Sequence, residues 1–80
     1  MKIPRDISGN DLLKLLKRYG YEPTRQVGSH IRITTQQKGE HHITIPNHSP
    51  LKIGTLSAII SGVAMHLGQT REEILHQLFG

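Results

Sequence analysis

Gly28-Ser29-His30 places a histidine directly after a glycine turn, and Arg32 follows two residues later. Further along, His42 adds a second imidazole, Lys52 a second cation and Thr55 a hydroxyl. These residue types suit the transesterification of RNA. A ribose 2′-hydroxyl can attack its own adjacent phosphorus without a metal, provided that protein groups move a proton and neutralise charge on the phosphoryl oxygens. The leaving 5′-oxygen must also be protonated. Histidine suits the proton steps because its ordinary pKa of ~6.5 lies near working pH. Arginine, lysine or a helix N-terminus suits the charge. In this scheme His30 is the catalytic acid/base and Arg32 clamps the phosphate. Lys52, with Thr55 and the backbone amides after Gly54, receives a neighbouring phosphate, and Ser29 is a turn residue or a substrate hydrogen bond. His42 is either a second acid/base or no more than a cross-strand neighbour of His30.

Other chemistries fit less well. Ser29 as a nucleophile lacks an evident carboxylate to orient a histidine beside it. His30, His41, His42 and His48 are numerous enough to ligate zinc, but adjacent histidines on a strand point to opposite faces, so His41 and His42 do not readily share an ion. No metal and no cofactor is expected. Lys52-Ile53-Gly54-Thr55 is not a phosphate-binding P-loop, since it lacks the preceding glycine and the Gly-Lys-Thr ending. His48 lies in a loop, where it either assists or stands by. His66 and His76 fall in helical sequence as structural or exposed residues.

These candidates need elements to hold them. Ser8 followed by Asp11 has the spacing of a capping box, and Leu12, Leu15, Leu16 and Tyr19 then form one apolar helical stripe that Gly20 ends. Lys14, Lys17 and Arg18 lie off that stripe, toward solvent. Tyr21 to Val27 reads as a strand weakened by Pro23, which marks an edge or a late start. His30 to Thr35 alternates cleanly, as does His41 to Pro46, with the polar loop Gln36–Glu40 between them. If Ile31, Ile33, Ile43 and Ile45 bury against helices, His30, Arg32, His42 and Thr44 share the open face of one sheet, His30 opposite His42 and with no carboxylate near. Leu56, Ile59, Ile60, Val63 and Leu67 form a second helical stripe with Thr55 as its N-cap. Gly62 interrupts that stripe at a cost of ~1 kcal/mol relative to alanine. Thr70 and Glu73 then open a short last helix carrying Ile74, Leu75 and Leu78. The order is helix, three strands, helix, short helix: an α+β chain with a three-stranded antiparallel sheet packed on helices.

Length and composition set the bounds. Eighty residues make one domain, and a chain this short buries only ~60–65% of its unfolded surface. There are no cysteines, so no disulfide staples the fold, which suits a reducing cytoplasm. The N-terminal stretch Met1 to Asp6 lacks the apolar core of a signal peptide, and no apolar run approaches the ~20 residues of a membrane span. A soluble, cytoplasmic protein without membrane attachment is expected. Ten Lys/Arg stand against six Asp/Glu, for a net charge of +4. No acid occurs between Glu40 and Glu72. A basic domain with a carboxylate-free centre suits a polyanion, and nucleic acid is the common one. With one Phe, two Tyr and no Trp, stacking bases on aromatic platforms is not the main binding mode.

Taken together, Arg25-Gln26-Val27-Gly28-Ser29-His30, Thr44-Ile45-Pro46-Asn47-His48 and Leu51-Lys52-Ile53-Gly54-Thr55-Leu56 resemble the HicA family of bacterial toxin–antitoxin ribonucleases. The likeness runs in unbroken order over about residues 8–61, beginning with the leucine-rich helix that ends in Gly20-Tyr21. It implies a fold like that of double-stranded-RNA-binding domains, α-β-β-β-α. It further implies a metal-independent endoribonuclease that cuts mRNA and so inhibits translation, with the family's catalytic histidine at His30. A HicB-like antitoxin would neutralise it by covering that site. Lys52 falls where RNA-binding relatives of the fold hold phosphates. Ile31 stands where many family members carry a second histidine or an aromatic residue, and residues 62–80 form a C-terminal helical extension beyond the likeness. Two rivals stay open: a module that binds structured RNA without cutting it, and a basic interaction protein that meets an acidic partner.

Overall fold

The computed structural model describes residues 3–80; Met1 and Lys2, part of the stretch read for a signal peptide, lie outside the described residues. Helix α1 (Gly9–Leu16) opens on the capping box expected at Ser8. The Ser8 hydroxyl accepts the Asp11 N–H at 3.0 Å, and the Asp11 carboxylate accepts the Ser8 N–H at 3.2 Å. A 3-10 turn over Lys17–Tyr19 continues the helix to Gly20, whose φ of 82° ends it. The buried stripe is Gly9, Leu12, Leu13 and Leu16, one residue round from the one read from the sequence, so Leu13 is buried and Leu15 only half-buried. Gly9 accounts for the rotation. A Cβ on Gly9 would lie 2.3 Å from the Pro46 carbonyl oxygen, so only glycine lets this first turn sit on the end of the third strand.

The sheet consists of β1 (Glu22–Val27), β2 (His30–Thr35) and β3 (His41–Pro46), antiparallel in the order β1-β2-β3. Tyr21, read as the first strand residue, lies just before β1 and is fully buried. Gly28 and Ser29 form a two-residue hairpin loop between the paired Val27 and His30. Gly28 takes φ 58° at its first position, where a hairpin turn of the primed type requires it. On β1 the register shifts between Pro23 and Arg25, a bulge at Thr24 on an edge strand, which is where a strand proline is tolerated.

Helix α2 (Ile53–Leu67) begins earlier than the sequence suggested. Lys52 is its N-cap residue, without a side-chain hydrogen bond, and Leu56 N–H already reaches the Lys52 carbonyl at 3.0 Å. Thr55 is therefore a residue of the first turn and not the cap. The helix runs through Gly62 unbroken and stops at Gly68. Helix α3 (Arg71–Phe79) starts on the expected Thr70–Glu73 capping box, with bonds of 3.1 and 2.9 Å.

All three helices contribute to one core. Leu12, Leu16, Leu56, Ile60, Val63, Ile74 and Leu75 meet Ile31, Ile33 and Ile45 from the inner face of the sheet. Thr35 is the buried polar side chain; its hydroxyl donates to the Tyr19 carbonyl at 2.7 Å and accepts the Gln37 N–H at 3.1 Å. The α-β-β-β-α order with a further C-terminal helix is thus observed, and it leaves the other sheet face uncovered.

Candidate functional site

Alternation along β2 does most of the positioning. Ile31, Ile33 and Thr35 turn into the core, which obliges His30 and Arg32 to face out. On β3, Ile45 is buried while Thr44 and His42 are exposed. The open face named from the sequence is present, but its register differs from expectation. Pro46 lies opposite His30, Thr44 opposite Arg32, and His42 opposite Thr34. His42 is therefore four residues further along the sheet than the expected pairing with His30, a displacement of ~13 Å at the rise of a strand.

Around His30 a shallow recess of about 260 Å³ is lined by Arg25, Val27, His30, Arg32 and Thr44. Val27 pairs with His30, and Arg25 with Arg32. Two of these residues, Arg25 and Val27, were not among the candidates. Strict alternation from Glu22 sends Thr24 and Gln26 outward and Arg25 and Val27 inward. The bulge at Thr24 reverses that order, and Pro23 was the only local sign of it. Among the described residues, neither the His30 imidazole nor either guanidinium makes a hydrogen bond or ion pair. No carboxylate lines the recess. It can accept an anion at the arginines while both His30 nitrogens are available for proton transfer.

Ser29, Lys52 and Thr55 do not line this recess. Ser29 is exposed in the hairpin turn, and its carbonyl accepts the Asn47 N–H at 2.6 Å. That bond ties the chain leaving β3 to the turn before His30. The Gly9 N–H to His48 carbonyl bond (2.9 Å) and the Leu51 N–H to Ile7 carbonyl bond (2.7 Å) then steer the chain to Lys52. Lys52 is exposed at the start of α2, and Thr55 is half-buried one turn in. The first-turn amides of α2 carry no side-chain cap. His48 and His76 are exposed.

At the opposite end the face does hold a carboxylate, contrary to expectation. Glu40 accepts from His42 Nε2 at 2.8 Å, and His42 Nδ1 lies 2.7 Å from the Thr34 hydroxyl. Hydrogen bonds from His42 and Gln36 hold the Glu40 carboxyl below its ordinary value. Beneath them, His41 turns to the inner side. Its ring stacks on His66 at 4.4 Å, and its Nδ1 shares a hydrogen bond with the Tyr21 hydroxyl at 2.8 Å. His66 in turn donates from Nε2 to the Gln37 carbonyl at 2.8 Å. Desolvation, then the neighbouring His66 and His42, lower the His41 pKa, while burial pushes Tyr21 up to about 12.

Fold and face together define a small α+β protein with one helix-covered sheet surface and one open, basic one. Residues 9–65 match the HicA toxin family of bacterial toxin–antitoxin systems, and the chain belongs to that family. It is accordingly a toxin of such a system, and an antitoxin is its partner. No curated protein and no solved structure gives a match. The family match ends at Met65, so α3 lies beyond it. Among the described residues, no helix is long and apolar enough to cross a membrane.

Proposed function

We propose that this toxin is a metal-independent endoribonuclease that cleaves mRNA in the cytoplasm with His30 as its single acid/base. The neutral imidazole takes the proton from a ribose 2′-hydroxyl as that oxygen bonds to phosphorus. It returns the proton to the 5′-oxygen as the P–O5′ bond breaks, leaving a 2′,3′-cyclic phosphate and a 5′-hydroxyl. Arg25 and Arg32 neutralise the charge that builds on the non-bridging oxygens. Lys52, the amides at the start of α2 and Thr55 hold a neighbouring phosphate, and Ser29 is a substrate hydrogen bond at the turn. His42, set apart along the strand and engaged by Glu40 and Thr34, acts elsewhere than at the reacting phosphate. A HicB-like antitoxin would silence the protein by covering this face.

The observation that carries the reading is the recess itself: an exposed histidine between two arginines, all three without hydrogen bonds or salt bridges among the described residues, and no acid lining it. The test is expression of wild type beside His30→Ala, scoring growth and transcript integrity, with cleavage of purified RNA in a chelator as the in vitro arm. His30→Ala should fold normally and lose cleavage by ~10²-fold or more, the worth of a positioned acid/base. Full cleavage by that variant would overturn the mechanism.

A further inference from the structure

A second recess, of about 500 Å³, opens on the same sheet face, lined in part by Glu22, Thr24, Thr34, Gln36 and Gln37. Its chemistry is the reverse of the first. No lysine or arginine lines it, and the Glu22 carboxylate, exposed on β1, repels a phosphate. A neutral group with hydrogen-bond donors is what such a wall accepts.

A chain of side chains across all three strands fixes the polarity of this wall. Glu40 is ionised and can only accept, so His42 gives it the Nε2 proton at 2.8 Å. The ring's other nitrogen, Nδ1, lies 2.7 Å from the Thr34 hydroxyl. The Thr24 hydroxyl donates to the Arg32 carbonyl at 3.3 Å and lies 3.0 Å from the Thr34 hydroxyl. The Thr34 proton goes to His42 Nδ1 or to Thr24 and the Thr24 proton to the Arg32 carbonyl, so both are used within the protein and oxygen lone pairs are left toward the recess. Gln37 supplies an amide whose side chain makes no hydrogen bond among the described residues. It lies over Gly20, where a Cβ would come within 3.0 Å of Nε2 and 3.2 Å of Cγ.

We propose that this recess reads one base of the RNA strand held at His30, and favours a base bearing an exocyclic amino group over uracil. Adenine, cytosine and guanine each offer two amino protons to an acceptor wall, whereas uracil offers a single N3–H flanked by carbonyl oxygens. Adenine fits best, since the amide of Gln37 can pair with an amino group and a ring nitrogen at once. Thr34 lies four residues along β2 from His30. That span corresponds to about four nucleotides at the ~3.4 Å spacing of a stacked strand, and to fewer in an extended one. The base read is therefore near the cut but not at it. This inference rests on the cleavage reading above for its substrate, yet it is separable by experiment.

The probes are 2′-O-methyl oligouridine, which has no 2′-hydroxyl to react, and the same oligomer with one central uridine replaced by adenosine or cytidine. Fluorescence anisotropy with the full chain should show the substituted oligomers binding about tenfold tighter. In the Glu22→Ala/Gln37→Ala double variant that ratio should fall to within about twofold. Loss of a carboxylate raises affinity for all three probes alike, so the ratio is the readout. Equal affinities in wild type, no binding of any probe, or a ratio that survives in the double variant would each overturn the proposal. His30→Ala should keep the ratio while losing cleavage. Should His30→Ala cut RNA as well as wild type, the catalytic reading fails while the ratio still decides this one.

Discussion

Arg25 and Arg32 stand directly opposite each other on β1 and β2, both exposed and neither in a salt bridge among the described residues. Like charges in that arrangement destabilise a sheet by roughly 0.2–1 kcal/mol. A fold that keeps them there gains nothing structurally, and an anion seated between them would remove the cost. Arg25→Thr should accordingly melt at the same or a higher temperature than wild type while its affinity for RNA falls. The salt dependence of binding should also become shallower, because one phosphate contact is lost. Calorimetry and RNA titration at two ionic strengths check both halves. A variant that melts lower and binds unchanged would return Arg25 to a structural role.

Gly9 links the helix layer to the end of the sheet that carries His30. Its second α-hydrogen occupies the place where any side chain would meet the Pro46 backbone, and Pro46 is the residue paired with His30. Gly9→Ala should therefore cost ~1–3 kcal/mol by overpacking. The contact is with backbone, which cannot rotate away. Cleavage should fall further than the stability loss explains, because the displaced segment lies beside the proposed acid/base. Urea denaturation and initial cleavage rates well below the melting point separate the two effects.

Much of this arrangement was legible from residue order. Period-2 alternation in His30–Thr35 and His41–Pro46, anchored by isoleucines, is enough to expose His30, Arg32 and Thr44 together. Both capping boxes are short-range hydrogen-bond patterns, and both formed as spaced. What failed depends on information that is not local. The pairing of β2 with β3 is set by the loop between them, where Lys38 and Gly39 both take positive φ, and this moved His42 away from His30. The bulge at Thr24 reversed the outward face of β1, so Arg25 and Val27 could not be found by counting. Leu13 is buried because Gly9 abuts Pro46, a contact between residues far apart in sequence.

His41 makes stability depend on pH in a stated direction. Its pKa is lowered from 6.5 in the folded chain by desolvation and by neighbouring histidines. The unfolded chain therefore binds the proton more readily, and this group's contribution is fully present above 6.5. It is lost as pH falls from there through the lowered folded value. His41→Phe keeps a ring against His66 but does not titrate. Its melting temperature should fall less steeply than that of wild type between about pH 7 and 5. Parallel curves for the two proteins would remove His41 as a source of the acid sensitivity.

Arg71 fastens α3 to α2 in a way the core alone does not. Its guanidinium donates from Nη1 to the Ser57 carbonyl at 2.8 Å and from Nη2 to the Ser57 hydroxyl at 2.9 Å, and it also reaches the Ser61 hydroxyl. The far end of α3 is held separately, where Tyr19 donates to the Gln77 side chain at 2.5 Å. Hydrogen bonds from a charged donor are worth ~1.5–3 kcal/mol each, less where solvent competes, and Arg71 is half-buried. Arg71→Ala should therefore lower the unfolding free energy by about 1–3 kcal/mol. Arg71→Lys should recover little of it, because a single ammonium cannot reproduce the planar fork across two serines. Neither variant touches the recess around His30, so RNA cleavage below the melting temperature should match wild type. Loss of cleavage in a folded Arg71→Ala protein would show that α3 does more than stabilise the core.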